Sequence, residues 1–357
     1  MLEEFFDRTY PIPPLPALAA ARAGALSTGV AGRLAAPYDP LVRVVASFLI
    51  AVQLLLTAHA LSYHHDDERR PVDNNARIKV ERADGRLDIL ARGPDQRQWI
   101  DLASFVMKEN ARPYLHPVRD CLGKVVLTED KPADHPWQHG VFSGFHRVNG
   151  FNYWKEDEGK QRFVRLLDLK ETSDRVSWRA LVELAAPNGD VVLEEQDAIT
   201  IYAPEDADTY IIDFDLLLRA RDKDVNFGKY FVGGLAVRMP WDRENPRQSH
   251  LNSEGKRNRD CEQQRARWCN VERPFGLETF GIAIFDHPDN PNHPCGWRAD
   301  EQGLINPNVS FAADWSIAAG KQQLFKYRLV VYRGSATQEQ LSARFKAFAG
   351  EGLNRGQ

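Results

Sequence analysis

Several catalytic signatures are missing from this 357-residue chain. It has no GxSxG elbow, no GxxxxGK[ST] phosphate loop, no HExxH and no Rossmann glycine pattern behind a strand. Serine-triad hydrolysis, phosphoryl transfer and nicotinamide-dependent hydride transfer therefore lose support. Cysteine is scarce. Cys121, Cys261, Cys269 and Cys295 include no CxxC pairing, so a zinc knuckle is not expected. Basic runs are lacking as well. With net charge -4 and pI near 6.2, nothing points to nucleic acid as a partner.

Long apolar runs are limited to one. Residues 41–60 read LVRVVASFLIAVQLLLTAHA, uncharged from Val44 onward, with Arg33 and Arg43 on the basic flank. Such a flank, an apolar run and then Ala58-His59-Ala60 form the pattern of a secretory signal cleaved after Ala60. The competing reading is an uncleaved membrane anchor, since the run is nearly long enough to span a bilayer. Export is expected either way, and membrane attachment only if the segment is retained. Residues 1–40, rich in Ala, Pro and Leu without periodicity, read as a disordered leader or as sequence upstream of the true start. Residues 61–75 read as a polar linker. In an oxidising compartment four cysteines allow two disulfides, and Cys261 with Cys269 could close a small loop. Buried free thiols are the alternative.

What the chain does have is alternation. Ile78, Val80, Leu87 and Ile89 flank Ala83-Asp84-Gly85, which reads as a hairpin. Val176, Trp178, Ala180, Val182 and Leu184 share one face of a strand, Pro187-Asn188-Gly189-Asp190 turns the chain, and 191–202 returns it. Further β-rich runs cover 209–218, 227–237, 277–285 and 324–332. Only the C-terminus reads as helix: Thr337 and Gln340 can form a capping box, and Leu341, Phe345 and Phe348 share a face. The expected fold is all-β, a single large antiparallel sandwich over residues 76–350 closed by one C-terminal helix.

Most of the imidazole after residue 75 falls in two polar stretches. The first is Asp134-His135-Pro136-Trp137-Gln138-His139-Gly140, followed by His146 and preceded by His116 in PYLHPVRD, which also carries Arg119. The second is Phe285-Asp286-His287-Pro288-Asp289-Asn290-Pro291-Asn292-His293-Pro294. Proline and glycine keep both out of regular strands, so the rings are expected on loops, where sites are usually built. A pair of histidines beside Asp134 suits acid–base work, one ring donating a proton and the other accepting. Zinc or copper held by His135, His139 and one of His116, His146 or His287 is the alternative. Asn149, Asn152 and Trp154 offer amides and an aromatic plate to a polyhydroxylated ligand. Glu254, beside a glycine in NSEGKR, is a candidate base or a plain surface glutamate. Arg267 next to Trp268 could clamp hydroxyls or a carboxylate, or only lie over the sheet. Asp286 and His287 end an apolar run where a strand opens into a loop, which favours a site.

The stretches PYLHPVRD, DHPWQHGVFSGFHRVNGFNYW, NSEGKR, ARWC and FDHPDNPNHP resemble a family of exported bacterial proteins labelled "methane oxygenase PmoA" or PmoA-like. The similarity runs from about Ile78 to the terminal helix. A membrane copper monooxygenase subunit would show several spanning helices, and the chain after residue 60 shows none. The family is similar to galactose-mutarotase-like super-sandwiches, which bind or transform sugars in a cleft on one broad sheet. That resemblance implies acid, orienting and base roles for His135, His139 and Glu254. Together these readings favour an exported carbohydrate-active enzyme of epimerase, lyase or hydrolase type, with no cofactor. His135, His139, Glu254 and His287 are its candidate catalytic residues. His116, Arg119, His146, Asn149, Trp154, Arg267, Trp268 and Asp286 are its candidate ligand contacts. A His-ligated metalloprotein and a non-catalytic carbohydrate-binding module are the competing readings.

Overall fold

The computed structural model describes residues 75–93 and 98–351, so the leader, the apolar segment and almost all of the linker lie outside the described residues. No helix among the described residues is long and apolar enough to cross a membrane. Strands are numbered here in chain order. The first sheet runs, in spatial order, β1 (Ile78–Ala83), β2 (Arg86–Ala91), β3 (Ile100–Val106), β4 (Tyr114–Val118), β5 (Val141–Phe145), β11 (Gly233–Arg238), β16 (Leu304–Asn308) and β15 (Gly296–Ala299). The second runs β12 (Ser249–Asn252), β13 (Trp268–Phe275), β14 (Glu278–Asp286), β18 (Gln322–Arg333), β9 (Thr209–Ala220), β8 (Val191–Tyr202), β7 (Arg175–Ala185) and β6 (Lys160–Glu171). A small third sheet pairs β10 (Val225–Phe227) with β17 (Trp315–Ile317), and α1 (Gln338–Glu351) ends the fold. The protein is all-β, two large antiparallel sheets with one C-terminal helix.

Side-chain period decides which face each strand buries. In β9, Tyr210, Ile212, Phe214, Leu216 and Leu218 are buried while their neighbours are not, the signature of a strand with one wet face. The inner faces of both sheets meet in one core, with Leu87, Phe105, Leu115 and Val141 from the first and Trp178, Ile199, Ile282 and Leu329 from the second. Each such side chain contributes about 1.5–3 kcal/mol on burial. β14 is buried on both faces because its outward residues Ala283 and Phe285, with Trp268 and Tyr332, are covered by Leu341, Phe345 and Phe348 of α1. Thr337 Oγ1 accepts the Gln340 amide at 3.2 Å and Gln340 Oε1 accepts the Thr337 amide at 2.8 Å, so the expected capping box starts that helix.

The outer face of the first sheet has no such cover. Phe142, Trp154, Val232, Ala236 and Leu304 form a separate apolar patch there, edged by Tyr114, Trp137 and Tyr230. The run read as one strand over 227–237 is in fact two. The chain leaves the small sheet after Phe227 and joins the large one at Gly233; between them the Tyr230 amide donates to Ser310 at 3.1 Å and its carbonyl accepts Asn308 Nδ2 at 2.8 Å. All four cysteines are buried free thiols.

Two carboxylic acids face the core from β8. Glu195 and Asp197 are 0% and 2% exposed and are hydrogen-bonded to one another. Ser143 donates to Glu195, and Gln161 Nε2 donates to its other oxygen at 3.1 Å. Burial, then the neighbouring Glu195 charge, pushes the Asp197 carboxyl well above the ordinary carboxylate range, so the pair holds a proton that the unfolded chain releases above about pH 4. Folding therefore takes up a proton, and stability falls as pH rises above that value. Asp197→Asn should remove much of this slope: its melting temperature should gain on the wild type as pH rises above about 4. Parallel melting curves at every pH would contradict a shared proton.

Candidate active site

The first histidine stretch lies on the open outer face of the first sheet, and its geometry starts from Arg238. That guanidinium, 4% exposed at the end of β11, reaches Gln138 Oε1 at 2.9 Å, Glu129 at 3.2 Å and Asp134 at 3.3 Å. It therefore pins both ends of the loop between Thr128 and Gly140. The Lys131 amide closes the loop on the Gln138 carbonyl at 2.9 Å. A Cβ at Gly140 would collide with the Leu115 carbonyl, so glycine lets the loop re-enter β5 against β4.

Loop closure brings Asp130 against His139. The carboxylate accepts from His139 Nδ1 at 2.5 Å. On its other oxygen it accepts from the Tyr114 hydroxyl at 3.3 Å, and the Tyr114 ring stacks on the imidazole with centroids 4.1 Å apart. Burial pushes the His139 imidazole below its ordinary value, with Asp130 opposing and the Arg112 cation assisting. Burial acts to raise Asp130, but the bond from His139 holds its carboxyl below the ordinary value. An ionised Asp130 can only accept, so neutral His139 carries its proton on Nδ1 and presents the lone pair of Nε2. This is the form a general base needs near neutral pH. Burial, then the Asp130 charge, pushes the Tyr114 phenol up to about 12, so it keeps its proton.

Tyr114 and His139 share a cavity of about 340 Å³ with Arg112, Trp137, Lys155 and Glu156. Other hollows of 410 to 930 Å³ have no histidine in their walls. Arg112 is 3% exposed. It donates to the Trp137 carbonyl at 3.1 Å, to the Trp154 carbonyl at 3.1 Å and to that of Tyr153, and its Nε sits 3.8 Å from Glu156. It thereby joins the histidine loop to the following segment, Asn152 to Glu158. His116 lies on the same strand face as Tyr114, with Nδ1 3.0 Å from Thr128, and feels the charge of both Asp130 and His139.

The remaining candidates divide by location. His135 Nδ1 is 3.1 Å from Asp134 and its ring stands edge-on to Trp137, on the same loop as His139. His146 stacks on Tyr230 at 3.6 Å, beyond the cavity wall. Asn149 is tied into a turn, accepting the Asn226 amide at 2.8 Å. The Arg119 carbonyl accepts the Tyr210 hydroxyl at 2.7 Å, a packing contact. Trp154 is 4% exposed against Phe142 and Gly144, so it cannot stack on a ligand; the aromatic plate in the cavity wall is the half-buried Trp137.

The second histidine stretch does not join the first. It lies at the end of β14, on the face that α1 covers. His287 stands edge-on to Phe348 at 4.9 Å, and Arg267 lies over Phe345 and 3.6 Å from Glu254. Trp268 is 0% exposed beneath the helix. Asp286 is consumed in holding its loop, accepting from Asn290 at 2.8 Å, His293 at 2.8 Å and the Cys295 amide at 3.1 Å. Glu254 and His287 therefore cannot serve His139, because the two-sheet core separates them. Among the described residues, no three His, Cys, Asp or Glu side chains converge as a metal site. The residues missed from the sequence are Asp130, Tyr114, Arg112 and Trp137. Only Tyr114 had a clear signal, two positions before His116 on one strand face.

Arg112→Met should unfold at a lower urea concentration, losing about 3 kcal/mol, because three buried carbonyls lose their donor and Glu156 its ionic partner. An unchanged midpoint would show that those carbonyls find other partners.

Against known proteins, the chain is similar in fold to a galactose mutarotase related enzyme from Lactobacillus acidophilus, with 8% identity and a TM-score of 0.34 over 73% of this chain and 98% of that one. It is also similar to an α-galactosidase from Geobacillus stearothermophilus solved with raffinose, with 11% identity and a TM-score of 0.35 over 72% of this chain. The chain spans 40% of that galactosidase. Likenesses this distant carry no argument about activity. No curated protein matches. The PmoA label finds no support in these comparisons. Residues 96–346 match DUF6807, a family of unknown function, and the chain belongs to that family.

Proposed function

We propose that this protein is an exported carbohydrate-active enzyme that acts on a sugar or glycoside derivative by acid–base chemistry, with His139 as base. The observation that carries this reading is the Asp130–His139 pair at a cavity that Trp137 also lines. Asp130 fixes the tautomer, Nε2 takes a proton, and the Tyr114 phenol, turning its proton from the long 3.3 Å bond to Asp130, is the adjacent donor to a leaving or ring oxygen. The Trp137 ring, with Lys155 Nζ 4.6 Å from its centroid, is a plate against which a pyranose ring can lie. Support for export is the basic flank, apolar run and small-x-small pattern of residues 33–60.

The test is conversion of a sugar and glycoside library followed by NMR, with wild type and His139→Ala side by side. The variant should still unfold in one cooperative step, at a melting temperature lowered by the cavity it leaves, and lose about 100-fold or more in rate. Since burial depresses the His139 imidazole, its base form persists in acid, and the acid limb of kcat/KM should fall below the ordinary value of about 6.5. Full turnover by the variant, or ligand binding with no chemical change in wild type, would refute the catalytic reading.

A further inference from the structure

The cavity beside His139 has a charge that acid–base chemistry alone does not require. Five of its twelve lining residues are cationic, Lys108, Arg112, Lys131, Lys155 and Lys160, against a single carboxylate, Glu156. The chain as a whole is acidic, at net -4, so this concentration of positive charge is local. Glu156 is already engaged, 3.8 Å from Arg112 and accepting the Gln161 amide at 3.1 Å. Among the described residues, no ion pair joins any of the four lysines to a carboxylate, and all four are exposed. Two donors of the lining side chains, Arg112 Nε and Trp137 Nε1, are buried with no acceptor. Lys160 donates to the Glu156 carbonyl and Lys155 lies over the Trp137 ring, contacts that leave their charge uncompensated. Cations without carboxylate partners and unsatisfied donors around one concavity favour an anionic, oxygen-rich ligand and focus its approach.

We propose that the cavity takes a saccharide bearing a hexuronate linked through O4, and that the proton removed by His139 is the one on C5, next to the carboxylate. This rests on the acid–base reading of His139 given above. A C–H bond beside a carboxylate becomes acidic enough for an imidazole only when the developing negative charge is neutralised, and the lysines with Arg112 supply that neutralisation. Nε2 of His139 takes the C5 proton, and the electron pair of that C–H bond forms a C4=C5 double bond. The C4–O4 bond breaks, and the departing oxygen takes the Tyr114 phenol proton. The products are a 4,5-unsaturated uronate and a free hydroxyl on the departing saccharide. The proton on His139 returns to the Tyr114 phenolate through solvent, which restores both groups, so no oxidant, reductant or water enters the reaction. Stacked face to face at 4.1 Å, the Tyr114 and His139 rings suit removal and donation on one face of a sugar. H5 and O4 stand in that relation in mannuronate and glucuronate; galacturonate, with the two on opposite faces, should bind without elimination.

The test uses the full chain with oligogalacturonate, oligomannuronate and a glucuronate-containing oligosaccharide as probes, and cello-oligosaccharide as the neutral control. Calorimetry should show at least one uronate probe binding about tenfold or more tighter than the control, with the advantage shrinking as salt is raised. The Lys131→Gln, Lys155→Gln double variant should lose most of that advantage while keeping its melting temperature, since both side chains are exposed. With the tighter-binding of the mannuronate and glucuronate probes, wild type should generate the ultraviolet absorbance of the conjugated unsaturated acid, and His139→Ala should bind the probe without generating it. Equal affinity for uronate and neutral probes, a preference untouched by the double variant, or tight binding of that probe with no unsaturated product would each overturn the proposal. His139-dependent conversion of a neutral sugar would overturn it while leaving the acid–base reading intact. Unsaturated product formed equally by His139→Ala would remove both.

Discussion

Arg112 is the cation on which the site depends. It is almost fully buried, it cannot shed its charge, and its donors go to the backbone carbonyls of Trp137, Tyr153 and Trp154. Burial acts against its charge, and Glu156 and the core acid Glu195 oppose that effect. Such a group is tolerated only where surrounding oxygen is fixed in place. The arrangement works in both directions: the carbonyls keep the guanidinium, and the guanidinium keeps two loops at a set distance. Phe142 lies beneath it at 5.4 Å, so the clamp also sits on the apolar patch of the first sheet. Burial is the main depressor of the His139 imidazole, and the same cation adds to it, linking loop geometry to base strength.

A sandwich has two outer faces, and this chain treats them differently. One is sealed by α1 through Phe345 and Phe348, which also closes over His287. The other keeps its aromatic residues under loops that leave a concavity. Loops can support a defined site only where something fixes them, and here Arg238 and Arg112 supply that rigidity. Beneath the concavity, the Glu195–Asp197 pair reaches Ser143 on β5, the same strand that presents Phe142 outward. The core beneath the site is thus held by hydrogen bonds as well as by apolar contact.

Much of the fold was legible in the sequence because its physics is local. The alternation of Val176, Trp178, Ala180, Val182 and Leu184 fixes a strand face, and Thr337 with Gln340 marks the start of α1. The placement of His135 and His139 on a loop followed from Pro136 and Gly140. Asp134 was the expected carboxylate partner, yet Asp130 holds His139, because one long-range bond from Lys131 to Gln138 folds the loop back. Nothing in a spacing of nine residues announces that contact. The second stretch was read correctly as a loop at a strand end, but the helix that covers it comes from some fifty residues later in the chain. Trp268 and Cys269 illustrate the period-2 rule: adjacent residues of β13 point to opposite sides, Trp268 beneath α1 and Cys269 into the core between the sheets.

The central claim is that His139 rests as a neutral imidazole with its proton on Nδ1, facing Asp130. Nitrogen NMR of selectively labelled histidine, assigned with His139→Gln and followed across pH, measures this directly. The expected result is an Nδ1–H tautomer with a titration midpoint below that of an exposed histidine, and a change in tautomer balance in Asp130→Asn. An Nε2–H tautomer, or a midpoint above the ordinary imidazole value, would contradict it.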